Sequence, residues 1–298
     1  MKSVTIAIPS TGRMCIESLE WFASMGAIDA DWQKEVSTFI DTGRKKPGEE
    51  EIKQEIMERW KSGKNGVTLK YDPRSGYRAS FLVKEGEIAG IPIILYGAEA
   101  PASNAIMQSE ADIAIVGFDS LLASLVNYLK PESQVRSWTG LNDALIESST
   151  DVRVAKETGM SDYAGWFLLA PSWYSASYRA RIDGVYGVNY TRQSPTEMIM
   201  EKGGVFAVKG MFEGLAYYFL GDKVKGEPTE NIEEAVKAGM FGLDIVRTGR
   251  TIVENRLYIS GAPFLITKSV VTVDRGKYQS DKRNDLLSTL KGGVSREV

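Results

Sequence analysis

The chain has 298 residues, 36 Lys and Arg against 39 Asp and Glu, a formal net charge of -3, one cysteine and no histidine. Without imidazole, Ser-His-Asp and Cys-His catalysis within the chain are excluded, a structural zinc site would have to be made almost wholly of carboxylates, and the lone Cys15 excludes an internal disulfide. The near balance of charge argues against broad nucleic-acid or anionic-membrane binding, so any anion site must be local.

A hydrophobic fraction of 43% with 25% charged residues is that of an ordinary globular protein, and the length predicts about two domains of roughly 150 residues each. The first apolar stretch, Val4 to Ile8, is too short for a signal-peptide core, and no run approaches the roughly 18 apolar residues of a membrane span. Together with the cysteine usage, these features predict a cytoplasmic setting.

Val4 to Ile8 is β-branched and ends at Pro9-Ser10-Thr11-Gly12, after which Met14, Ser18, Leu19, Phe22 and Met25 fall near helical spacing. This reads as strand, glycine turn, helix. Residues 29–66 are charged, with a basic loop at 43–48 and a helix predicted from Glu49 to Lys61. Val67 to Tyr71 and Ala79 to Val83 flank the turn-forming Asp72-Pro73-Arg74-Ser75-Gly76 and predict a hairpin. Further strands are predicted at Ile91 to Tyr96 and Asp112 to Val116, with a helix from Ala102 to Glu110 between them. Residues 130–160 are polar and are read as an excursion between domains, placing the first boundary there.

Beyond it, strands are predicted at Trp166 to Ala170, Val185 to Tyr190, Val205 to Lys209, Leu243 to Val246, Leu257 to Ile259 and Pro263 to Thr267. Ser194-Pro195-Thr196-Glu197 has the capping-box order with proline at the first helical position, and Thr251-Ile252-Val253-Glu254 repeats that order. A helix is predicted from Thr229 to Ala238, and a surface helix from Gln279 to Leu290. No internal repeat is visible. Alternating strands and helices predict an α/β protein with mostly parallel sheets, whose ligands bind beyond the carboxyl ends of the strands.

The segment most suited to chemistry is Asp244-Ile245-Val246-Arg247-Thr248-Gly249-Arg250-Thr251. Gly249 allows close backbone approach, a helix start presents N–H groups to an anion, Thr248 and Thr251 can donate hydroxyl hydrogen bonds, and Arg247 and Arg250 add positive charge. Asp244 could accept hydrogen bonds from sugar hydroxyls or face a magnesium shell. The same pattern also suits a strand, an ordinary turn and a capped helix. Two further stretches are Pro9 to Met14, where Arg13 could grip a carboxylate or phosphate at two points, and Lys209-Gly210-Met211-Phe212-Glu213, where an acid follows a strand and a glycine.

In this order the stretches resemble the catalytic chain of the ATP phosphoribosyltransferase family. Val4 to Met14 is similar to its strand followed by Pro-Ser-Lys-Gly-Arg-Leu or Met, and Glu110 to Asp119 to its Ala-Asp-Leu-Gly-Ile-Thr-Gly-Tyr-Asp segment. Lys209 to Ala216 resembles its Ser-Gly-Ser-Val-Glu region, and Leu243 to Leu257 its Asp-Leu-Val-x-Thr-Gly-x-Thr-Leu-x-Glu-Asn-Gly-Leu signature. The chain departs from the pattern at Thr11 in place of lysine, Val116 in place of threonine, and Lys209 in place of serine.

The resemblance implies two α/β domains in a type II periplasmic-binding-protein-like arrangement with the active site in the cleft. Domain I is expected at 1–160 and 256–298, and domain II, carrying the phosphate loop, at 161–255. It implies transfer of the phosphoribosyl group of phosphoribosyl pyrophosphate (PRPP) to a ring nitrogen of ATP, the first step of histidine biosynthesis, or of a related heterocycle, with release of pyrophosphate. Arg247, Thr248, Gly249, Arg250 and Thr251 would hold the 5-phosphate, with Asp244, Glu213 and Arg13 in catalytic positions and Mg2+ bound mainly through substrate phosphates. The small-molecule substrates would be PRPP and ATP or another heterocycle, with a homo-oligomer or a regulatory partner chain as the expected assembly. The loss of a cation at Thr11 and of hydroxyls at Val116 and Lys209 points to weak ATP use or a non-ATP acceptor. The alternative on the same scaffold is a solute-binding or regulatory module without catalysis.

Overall fold

Val4 to Ile8 is apolar except at the partly buried Thr5 because its strand is covered on both faces: β1 (Val4–Pro9) lies between two parallel neighbours, and Ile6, Ala7 and Ile8 are fully buried. The computed structural model describes residues 3–42, 66–72, 76–99, 102–133, 135–146, 148, 150–160, 164–171, 179–182, 186–189, 194–247, 249–274 and 286–290. The chain divides into two units: unit 1 is Met1–Gly117, Thr150–Ser161 and Ser269–Val298, and unit 2 is Phe118–Ser149 and Asp162–Lys268.

In unit 1, helix α1 (Gly12–Ser24) follows β1 and turns Cys15, Ser18, Leu19 and Phe22 inward at helical spacing. The next helix, α2 (Ala30–Thr42), was not legible as such in the charged 29–66 segment, yet Val36, Phe39 and Ile40 bury an apolar stripe against α1. Its first turn is held by Asp29, whose carboxylate accepts from the Trp32 N–H at 2.7 Å. The predicted helix at 49–61 and the basic run at 43–48 lie outside the described residues. Strands β2 (Val67–Asp72) and β3 (Gly76–Phe81) form the predicted antiparallel hairpin as a separate two-stranded sheet.

Strands β4 (Val83–Ile88) and β5 (Ile91–Ala98) are joined through Ala89 and Gly90, at φ 50 and 80, the left-handed conformations that a two-residue hairpin turn requires. After α3 (Ser103–Met107) comes β6 (Ile113–Gly117), buried throughout. The chain then leaves for unit 2, beginning with α4 (Phe118–Leu125) and α5 (Trp138–Ala144), and returns as β7 (Val152–Glu157).

Unit 2 continues with β8 (Ala164–Ala170), β9 (Arg179–Ile182) and β10 (Tyr186–Asn189). Helix α6 (Pro195–Met200) starts at Ser194 with the predicted capping box: Ser194 Oγ accepts from Glu197 N–H at 3.3 Å and Glu197 Oε2 from Ser194 N–H at 2.7 Å. Next come β11 (Val205–Val208), α7 (Glu213–Leu220), β12 (Lys225–Pro228), α8 (Ile232–Lys237), β13 (Phe241–Val246), α9 (Arg250–Glu254) and β14 (Tyr258–Thr267). β14 fuses the two short strands expected around Leu257 to Thr267, with a register shift between Ser260 and Leu265. Finally β15 (Ser269–Asp274) and α10 (residues 286–290) belong to unit 1.

The unit 1 sheet has the order β4-β5-β1-β6-β15-β7, and the unit 2 sheet β12-β11-β13-β8-β14-β10-β9. In each, three parallel strands run second-first-third in chain order, then an antiparallel strand intervenes, then a fourth: β5-β1-β6-β15-β7 and β12-β11-β13-β8-β14. This repeated order is that of type II periplasmic-binding-protein-like domains, and the fold is mixed α/β.

The division departs from the expected boundaries in two places. Residues 118–149 join unit 2 because α4 packs on α7 and β14, and residues 256–268 join it because β14 pairs with β8. The C-terminal segment also departs from expectation: in α10, Leu286, Leu287 and Leu290 are buried in the unit 1 core rather than displayed on a surface helix. Lys156 Nζ donates to the Leu290 carbonyl. Leu286→Ala is therefore expected to destabilise the protein by about 2 to 5 kcal/mol, the usual range for emptying a buried leucine site. Thermal or urea unfolding measures it, and an unchanged midpoint would return this helix to the surface.

Candidate functional site

In unit 2 the parallel strands β11 and β13 run side by side, β11 ending at Val208 in register with Leu243 and β13 continuing to Val246, so the residues around both strand ends share the end of the sheet where α/β proteins bind ligands. Lys209 follows β11 directly and Asp244 lies one register step beyond Leu243. Their side chains meet: Lys209 Nζ donates to Asp244 Oδ1 at 3.2 Å, with side-chain exposures of 37% and 13%. Asp244 Oδ1 also accepts from the Ile245 N–H at 2.8 Å. The lysine that departs from the family pattern thus neutralises the acid for which a sugar or metal role was expected.

The turn after β13 carries the half-buried Arg247 and the buried Gly249. Gly249 is the N-cap of α9 at φ 65, ψ 7, a left-handed conformation in which any β-branched side chain is strained. Arg250 and Thr251 open the helix. The capping box expected at Thr251 does not form, because the left-handed glycine already starts the helix and places Thr251 inside its first turn, exposed. Thr248 lies outside the described residues.

Glu213 opens α7, and its Oε1 accepts from Tyr217 Oη at 3.2 Å, one helical turn on. The Tyr217 hydroxyl in turn accepts from the Gly226 N–H of β12 at 3.0 Å. Arg13 belongs to unit 1, in the first turn of α1, where its Nε donates to Glu17 Oε1 at 2.8 Å and its side chain is 55% exposed. The expected site residues therefore fall into a unit 2 group, Asp244, Glu213, Arg247, Gly249, Arg250 and Thr251, and a unit 1 residue, Arg13.

One acid of this region was not singled out from the sequence. Asp119, in the first turn of α4, is buried, and its Oδ1 accepts from the Thr267 hydroxyl at 2.6 Å while its N–H donates to Thr267 Oγ1 at 3.1 Å. Burial pushes its carboxyl above the ordinary value, against the lowering effects of the Thr267 hydroxyl, the Asp119 and Ser120 N–H groups and the Lys209 charge. The signals available in sequence were an aspartate after Gly117-Phe118 at a strand end and its place at the close of the Glu110-to-Asp119 resemblance; its partner Thr267 is far along the chain. Among the described residues no group of three or more His, Cys, Asp or Glu is placed to hold a metal ion. With Asp244 paired to Lys209, these residues do not fit a protein-held magnesium ion.

No family model matches this chain, and neither does any curated protein. Among solved structures it is similar to the ATP phosphoribosyl transferase (HisG:HisZ) complex from Thermotoga maritima, at 15% identity and a TM-score of 0.49, over 97% of this chain and 96% of that one. It is also similar to a putative binding component of an ABC transporter from Wolinella succinogenes complexed with lysine, at 8% identity, a TM-score of 0.40, and coverage of 97% and 88%. A third is the regulatory domain of MetR, a LysR family regulator from N. meningitidis, at 10% identity, a TM-score of 0.35, and coverage of 99% of each chain. No described helix is long and apolar enough to cross a membrane.

The buried carboxyl of Asp119 has a definite consequence for stability. A carboxyl whose folded-state pKa is raised contributes stability that is fully present below its unfolded value, about 3.8, and is lost as pH rises through the folded value. Asp119→Asn removes this contribution. The difference in melting temperature between variant and wild type should therefore shift in favour of the variant as pH rises from about 3.8. A difference that stays constant from pH 3.8 to pH 8 would show that the buried carboxyl does not titrate abnormally.

Proposed function

We propose that the protein is a phosphoribosyltransferase that takes PRPP as donor and a ring nitrogen of ATP or of a related heterocycle as acceptor. The observation that carries this reading is the turn after β13. The segment whose residues resemble the family signature folds as a strand, a buried left-handed glycine and a helix, with Asp244 inside the strand and Arg247 directly after it. In this reading Arg247, Thr248, Gly249, Arg250 and Thr251 hold the 5-phosphate, the chemistry of these residue types supplying backbone N–H groups, hydroxyls and guanidinium groups.

In the reaction the ring nitrogen forms a bond to the anomeric carbon as the bond from that carbon to pyrophosphate breaks, and the bonding pair leaves with pyrophosphate. No group on the protein needs to form a covalent bond, so a chain without histidine can perform it by alignment and charge stabilisation. Asp244 and Glu213, both of unit 2, are the proposed contributors to that alignment, Glu213 being held by Tyr217. The departures at Thr11 and Val116 favour an acceptor other than ATP. The same strand order suits a solute-binding or regulatory module without catalysis, the second reading, and release of pyrophosphate separates the two.

The test is incubation with PRPP and a panel of ATP, purines and other azoles, following pyrophosphate. Acceptor-dependent release is expected. Binding of PRPP without release for any acceptor would favour the non-catalytic module. Gly249→Val should weaken PRPP affinity by about tenfold or more, since it strains the turn and blocks the backbone, and Thr248→Ala should do so by less. Calorimetric titration of the folded variants measures both, and unchanged affinity in Gly249→Val would remove the phosphate from this turn.

A further inference from the structure

Granting the phosphoribosyltransferase reading, we propose that Lys209 does beside Asp244 what a divalent cation would otherwise do, so that the sugar-phosphate donor binds without a metal bridging it to the protein. A carboxylate two residues before the end of β13, close to the turn read as binding phosphate, repels an anionic ligand unless a positive charge beside it offsets its own. A divalent ion can supply that charge by joining carboxylate and phosphate oxygens. In this chain the charge is covalently attached.

Lys209 Nζ lies 3.2 Å from Asp244 Oδ1, and the acid is the more covered of the two, with a side-chain exposure of 13% against 37% for the lysine. An ammonium carries three N–H donors, so with one directed at Asp244 others remain to serve a ligand oxygen on its exposed side. Two further acids of unit 2 are engaged as well: Asp119 by Thr267, and Glu213 by Tyr217. Asp119 also feels the Lys209 charge, and burial holds its carboxyl toward the neutral form. The net effect is a lysine at the strand ends with its principal acid already satisfied, and no cluster of described carboxylates that would draw in a divalent ion. Serine at this position, the residue of the family pattern, has no charge and would leave Asp244 unneutralised. The lysine is therefore a specificity-determining substitution, selecting metal-free over metal-bridged donor binding.

The experiment is calorimetric titration of the full chain with PRPP, once in magnesium and once in EDTA, on wild type, Lys209→Ser and Lys209→Arg, with folding checked by circular dichroism. Wild type and Lys209→Arg should bind with Kd values that differ by less than about threefold between the two conditions, because the fixed charge remains. Lys209→Ser should lose about tenfold or more in EDTA, the scale of a charge-assisted hydrogen bond, and regain most of it in magnesium as the freed Asp244 becomes a metal ligand. Wild type that binds in magnesium and not in EDTA would overturn the inference while leaving the phosphoribosyltransferase reading intact. Equal binding by Lys209→Ser in both conditions would overturn it too, and folded wild type that binds PRPP in neither condition would overturn both.

Discussion

Each of the two large sheets depends on one antiparallel strand contributed by a distant part of the chain: β15 between β6 and β7, and β8 between β13 and β14. Backbone N–H and C=O groups in a sheet interior must be paired, so these strands cannot be omitted without leaving buried polar groups unsatisfied in both neighbours. They also fix the division of the chain. Since β15 must sit beside β6, the segment after Lys268 returns to unit 1, and since β7 pairs with β15, residues 150–161 belong there too. The Phe118 N–H donates to the Lys268 carbonyl at 2.8 Å, tying together two segments of unit 2 where the chain enters and leaves it.

The charge arrangement at the end of the unit 2 sheet follows from that pairing. Placing β11 next to β13 brings Lys209 to Asp244, and folding α4 onto β14 brings Asp119 to Thr267. Both acids are largely removed from water, one stabilised by an ammonium and the other by a hydroxyl and helix N–H groups, so neither is an isolated buried charge. The partly exposed Lys209 stands at this end of the sheet, although the whole chain is slightly acidic at -3.

Much of the local structure was legible because it is set by short-range chemistry. The apolar run at Val4, the Asp72-to-Gly76 turn, the Ser194–Glu197 capping box and the glycine between β13 and α9 each act within a few residues. Where a local signal competed with a neighbour, it failed. Thr251 has the spacing of a cap, but the left-handed Gly249 had already begun the helix. The 29–66 segment reads as charged on average, yet Val36, Phe39 and Ile40 recur at the spacing of one buried face and form α2. The leucines of α10 resemble those of an amphipathic surface helix until the unit 1 core receives them. The shared strand order of the two units left no internal repeat in the sequence, since a sheet order constrains which residues are apolar and not their identity.

The sequence by itself determined the absence of histidine chemistry, the alternation of strands and helices, and the segment at 244–251 as the place where a glycine turn, hydroxyls and arginines coincide. These are properties of composition and of neighbours along the chain. The tertiary structure decided that Lys209 pairs with Asp244, 35 positions away, that Asp119 is buried against Thr267, 148 positions away, and that residues 118–149 and 256–268 belong to the unit that carries the 244–251 segment. The physical reason is that strand pairing and side-chain burial depend on which distant segments share a sheet, and no periodicity within either segment carries that information.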